Sequence, residues 1–159
     1  MTVDTATSTD RIERQILIEA PRARVWRAIS NADEFGAWFG ADLKGQRIEA
    51  RRPLRGPITI KGYEHIMFDA IVETVEPEER LAFRWHPYAI DPKVDYSGEP
   101  RTLVTFTLDE QADGKATLIR VVESGFDQLP PQRRVEAFPM NDRGWAAQLQ
   151  NIKAHAEPR

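Results

Sequence analysis

The stretch PPQRRVEAFPMNDRGWAAQLQNIKAHAE, residues 130–157, decides the fold. Val135, Phe138, Trp145, Leu149, Ile152 and Ala156 recur at intervals of three, four or seven, the spacing that gathers apolar side chains into one stripe of an α-helix. Pro130 and Pro131 suit the start of that helix, where a missing N–H costs nothing. Pro139 interrupts the pattern, because proline removes an i to i−4 bond and crowds the preceding turn. The spacing therefore predicts either a kink there or a short helix followed by a longer one from Asn141 or Asp142. Even ~17 residues of this helix span ~25 Å, comparable with a long strand pair, so the apolar stripe calls for a sheet face to cover.

That sheet is legible upstream. From Gly40 to Gly125 the helical period gives way to strand-like runs divided by Gly, Pro and charged turns. Ile58–Lys61, Ile66–Val75, Arg80–His86, Leu103–Leu108 and Thr117–Ser124 read as strands, with a weaker one near Arg47–Arg51. The links at Glu76–Glu79 and Asp109–Lys115 are too short for parallel crossovers, which predicts an antiparallel meander. One link is long: PYAIDPKVDYSGEP, Pro87–Pro100, exceeds the ~12 residues beyond which a connection inside a compact domain is usually functional or mobile.

Before the sheet, Ile12, Ile16 and Ile18 mark a first strand over Arg11–Glu19. Two short helices follow, Pro21–Ile29 and Ala32–Trp38. Ser30 and Asn31 divide them, each followed three residues later by an acid in the manner of a capping box. The order predicts an α+β domain over residues 11–157, a curved antiparallel sheet of six or seven strands wrapped around the C-terminal helix. Residues 1–10 form a flexible tail in this reading.

Composition narrows the function. A chain of 159 residues with 41% hydrophobic and 30% charged content has the balance of one folded domain. A net charge of −3 and a pI near 5.7 give no global reason to bind nucleic acid. The local exception is Lys44, Arg47, Arg51, Arg52, Arg55 and Lys61, readable as a solvated edge strand or as a basic edge meeting an anionic partner. With no cysteine there is no disulfide, thiolate nucleophile, zinc-thiolate site or cysteine-ligated cluster. The N-terminus has neither a signal peptide nor a membrane span, which predicts a cytoplasmic protein.

A curved sheet around one helix leaves space near its ends, and the aromatic supply suits the lining of an apolar pocket: Trp38, Phe39, Phe68, Phe83, Trp85, Phe106 and Trp145, with Leu149 from the helical stripe. The alternative for each is plain core packing. Polar candidates are few. His86 falls one residue out of phase with Leu81, Phe83 and Trp85, so it faces the cavity only if a bulge precedes Pro87. Glu123 shares the phase of Ile119 and Val121; burial there would raise its pKa and prepare it as a general acid, the alternative being a paired or exposed strand-end carboxylate. Asp142 falls within the helical stripe, either reaching the cavity or capping a helix restarted after Pro139. His65 and Asp69, ~13 Å apart along a strand, are too distant to share a metal. His155, near the chain end, reads as solvated. No serine elbow, phosphate loop or dinucleotide fingerprint is present, so the sequence assigns no cofactor, no metal and no catalytic motif.

The runs ILIEAPRARVWRAISNADEFGAWFG, VETVEPEERLAFRWHP, EPRTLVTFTL, VVESGF and GWAAQLQNIKAH together resemble the SRPBCC superfamily, which includes START and birch-pollen-allergen-like domains. Within it the chain resembles the bacterial activator of heat-shock-protein-90 ATPase homologue family, from about Ile12 to His155. The resemblance implies a helix-grip fold with an internal hydrophobic cavity that binds an apolar, lipid-like or aromatic small molecule. It also implies two alternatives, a chaperone-regulating interaction module and a cyclase- or hydrolase-type enzyme using His86, Glu123 or Asp142. Free edge strands leave room for a homodimer.

Overall fold

The computed structural model describes residues 9–158. Its elements are β1 (Arg11–Ile18), α1 (Arg22–Ser30), α2 (Ala32–Phe39), β2 (Pro53–Pro57), β3 (Met67–Glu76), β4 (Arg80–Trp85), β5 (Thr102–Gln111), β6 (Ala116–Ser124) and α3 (Pro131–Ala156). The six strands form one curved antiparallel sheet in the order β1-β6-β5-β4-β3-β2. Strands β2 to β6 are the expected meander. Strand β1 closes against β6, because the two helices carry the chain away from it before β2 begins. The expected tail lies outside the described residues except for Thr9 and Asp10, and the Thr9 hydroxyl donates to Asp127 at 2.6 Å.

Alternation places one face of every strand inward. Thr102, Val104, Phe106 and Leu108 of β5 lie beside Ile119, Val121 and Glu123 of β6, all buried. Ile12, Ile16 and Ile18 of β1 share a phase with Arg14, whose guanidinium meets the Asp142 carboxylate of α3 at 2.9 and 3.1 Å. At the start of α2 the Asn31 side chain accepts from the Glu34 N–H at 3.0 Å, and Gly40 ends the helix with φ +98°.

Three local expectations are corrected. The edge strand is β2 at Pro53–Pro57, whereas Ile58–Lys61 contributes only the Ile58 bridge to Ala41 and Arg47–Arg51 forms no strand. Two prolines hid β2, yet an edge strand tolerates them, and Gly56 lets it press on the α2–β2 connection, where an added Cβ would meet the Asp42 carbonyl at 1.8 Å. Second, α3 runs without a break from Pro131 to Ala156, so Asp142 caps nothing. Pro139 sits on its exposed side, and with no N–H it leaves the Val135 carbonyl without that intrahelical donor. Third, the buried row of α3 is Arg133, Ala137, Trp145, Leu149, Ile152 and Ala156, while Val135 is 71% exposed.

Candidate functional site

The space between the sheet and α3 is filled by rings. Phe35 and Trp38 lie 4.5 Å apart between centroids, Phe83 and Phe106 6.4 Å, and Phe106 and Trp145 5.6 Å. Trp38, Phe83, Phe106, Trp145 and Leu149 are all buried in this core. Open space lies at one end of the grip, where Phe39 closes α2, Phe68 is second in β3 and Trp85 closes β4. These three rings pack edge to face at 5.0 to 5.9 Å and line a hollow of about 390 Å³. Its remaining wall is the long connection after β4, through Tyr88, Ile90, Val94 and Tyr96, with His65, Asp69, His86 and Arg101 among the polar groups.

Of the polar candidates, His86 lies in this hollow, just past the end of β4 where strand alternation no longer applies. Its Nδ1 is buried without a hydrogen-bond partner. Burial, reinforced by Arg101, lowers its pKa from the ordinary histidine value and favours the neutral ring. Arg101 itself donates to the Asp69 and Arg84 carbonyls at 3.1 and 3.4 Å.

Glu123 stands one layer deeper. Its carboxylate has no exposure to solvent and collects four donors from three elements, β4, β5 and α3. Oε1 accepts from Trp145 Nε1 at 2.8 Å and Asn141 Nδ2 at 3.0 Å, and Oε2 accepts from Thr102 Oγ1 at 2.6 Å and Trp85 Nε1 at 2.8 Å. Burial raises its pKa, and these four hydrogen bonds oppose the rise without overcoming it. Trp85 thus has two roles, one face on the hollow and its N–H on the buried acid. Asp142 occupies a third setting, a partly exposed ion pair with Arg14, so the three acid–base candidates do not converge.

The sequence reading missed Arg133, Asn141 and Thr102. Thr102 shares the inward phase of Val104 and Phe106, a signal alternation carries. Arg133 and Asn141 fall on the i, i+4 row with Ala137 and Trp145, a row disguised because half of it is polar. His155 is not free at the chain end; its Nε2 lies 2.9 Å from Glu34, which also holds Arg24 and Arg27. Among the described residues no group of three or more His, Asp or Glu is arranged to hold a metal, and no helix is long and apolar enough to cross a membrane.

Comparison with solved structures finds the same fold in protein MLL2253 from Mesorhizobium loti, at 23% identity and a TM-score of 0.68, covering 91% of this chain and 95% of that one. The Aha1 dimer from Colwellia psychrerythraea matches at 17% identity and 0.66, covering 92% and 96%. Comparison with curated proteins finds no match. The sequence profile of the family described as "Activator of Hsp90 ATPase homolog 1-like protein" matches residues 19–157, nearly the full length of the grip. The chain therefore belongs to the activator of Hsp90 ATPase homolog 1-like family, with the SRPBCC-type fold its motifs resemble.

Proposed function

We propose that this protein binds a compact apolar, aromatic small molecule in the hollow at the end of the grip. The supporting observation is the convergence of Phe39, Phe68 and Trp85 with the apolar side of the Pro87–Pro100 connection around about 390 Å³, a volume in the range of small-molecule sites. Ring faces supply affinity, and His86 and Arg101 supply the few polar contacts that fix orientation. Glu123 sets the wall by holding the Trp85 indole. Titrating the pure protein with a library of lipids and aromatic metabolites tests the reading: a saturable rise in melting temperature with a change in tryptophan emission is expected, and both effects weaken in Phe39→Ala. No saturable shift with any compound rejects it.

Family membership supports a second reading, a chaperone-regulating surface, for which the basic edge around β2 is the available face. Arg55 pairs there with Asp69 at 3.4 Å, and Arg52 with Glu49 at 3.3 Å. An ATPase assay with the cognate chaperone decides it, and unchanged turnover at saturating protein eliminates this alternative.

A further inference from the structure

One buried side chain gathers both ends of the connection that walls the hollow. Arg133, in the first turn of α3, is 9% exposed. Its Nη2 donates to the Pro87 carbonyl at 2.6 Å and its Nη1 to the Tyr88 carbonyl at 3.4 Å. Its Nε donates to both Glu99 carboxylate oxygens at 3.0 and 3.1 Å, and the guanidinium lies 4.7 Å from the centre of the Tyr96 ring. The start and the end of the strap Pro87–Pro100 thus converge on one cation. Arginine suits the task, because its planar fork of five donors serves two carbonyls, a carboxylate and a ring face at once.

Within the strap, order is local. The Asp91 N–H donates to the Tyr96 hydroxyl at 3.1 Å, the Lys93 N–H to Asp91 at 2.9 Å and the Ser97 N–H to Asp95 at 3.0 Å. The strap is thus ordered by its own short-range hydrogen bonds. It also has two faces. Tyr88, Ile90, Asp91, Val94 and Tyr96 line the hollow described above, and the same five residues line a second hollow of about 540 Å³ on the other side. The far wall of that second space is α3, where Val135, Pro139 and Met140 face it between the charged Arg133, Glu136 and Arg143. Val135, Val94 and Met140 are 71%, 44% and 39% exposed, an apolar strip within that lining, with the Arg143 guanidinium against the Met140 sulfur at 2.9 Å.

We propose that the two hollows are halves of one site for an elongated apolar molecule, divided by the strap, and that Arg133 is the latch that governs whether they join. The proposal rests on the pocket reading above and extends it. The compact end of the ligand occupies the ring-lined half, and its chain lies along the Val135–Met140 side of α3 once the strap has lifted. Lifting separates Arg133 from Glu99, a pair largely withdrawn from water, which makes opening infrequent and closure favourable.

Two neutral fluorescent probes with one head test this: a propionyl-substituted dimethylaminonaphthalene and its lauroyl homologue. Wild type binds both. Val135→Glu, at an exposed position outside the core, lowers the affinity of the long probe about tenfold and leaves the short one unchanged. Glu99→Gln, which loosens the latch from the strap side, speeds association of the long probe about tenfold in stopped flow. Long-probe affinity unaffected by Val135→Glu overturns the two-chamber site, and an association rate unaffected by Glu99→Gln overturns the latch. Binding of the short probe alone by wild type overturns both and leaves the pocket reading standing. Binding of neither overturns the pocket reading as well.

Discussion

Glu123 is a fully buried carboxyl among neutral partners, on the inward phase that strand alternation assigns it. Its partners Trp85, Trp145, Thr102 and Asn141 are neutral, so a negative charge there is stabilised by dipoles alone. Protonation breaks no contact that the Thr102 hydroxyl cannot restore by rotating to accept, since the two indoles only donate. The raised pKa means that the folded protein holds this proton more tightly than the unfolded chain does. Its contribution to stability therefore falls as pH rises above the ordinary glutamate value of 4.5, with the loss complete above the folded pKa. His86 acts in the opposite sense, because its lowered pKa adds stability as pH rises toward 6.5. In Glu123→Gln one carboxylate oxygen becomes an N–H₂ donor facing another donor. Asn141 can flip to accept from it, but an indole N–H is left without an acceptor, at a cost of about 1–3 kcal/mol. Urea unfolding across pH should show this cost largest near pH 4.5 and smaller at alkaline pH, since the variant lacks the titration. An identical pH slope in both proteins would show that Glu123 does not titrate differently on folding.

Among the elements, α3 separates two ion pairs that look alike in sequence. Arg133 and Glu99 keep 11% and 16% of their side-chain surface exposed, whereas Arg14 and Asp142 keep 43% and 37%. Truncating the first pair at Arg133 leaves a carboxylate and two strap carbonyls without their donor and should cost about 3 kcal/mol. Arg14→Ala, at the exposed pair, should cost under about 1 kcal/mol. Equal costs in denaturant titrations would contradict the burial argument. The same helix shows what was legible. Its length, its proline entrance and the role of Trp145, Leu149, Ile152 and Ala156 followed from spacing. In its first half Phe138 packs on the core as read but Val135 does not, because Arg133, buried, and Asn141, half-buried, turn inward through partners on the strap and on β6 that periodicity does not encode. The meander was legible for a complementary reason: alternation and short turns are local signals, and only β2, short and proline-bounded at the edge, escaped them. The strap was visible as an overlong link, but its latch was not, since Arg133 and Glu99 are 34 residues apart and meet only in the folded chain.

At the scale of the whole molecule, the grip is filled where the helix crosses the sheet and open where the strap bridges its end. In its centre the ring contacts between helix and sheet are packed like an ordinary protein interior. The consequence separates two phenylalanines that the sequence presents as equivalent. Phe106 is buried against Trp38, Phe83 and Trp145, so Phe106→Ala should destabilise the fold by about 3–5 kcal/mol. Its effect on binding of the short naphthalene probe should be small, because Phe106 does not line the hollow. Phe39 is half-buried at the end of α2 and faces the hollow directly. Phe39→Ala should cost less stability and weaken the probe about tenfold, by removing a ring face from the site. Thermal unfolding and fluorescence titration on the two variants measure both quantities side by side. A probe that responds to Phe106→Ala more than to Phe39→Ala would place the ligand under α3 in the centre of the grip, and would refute the end-on site.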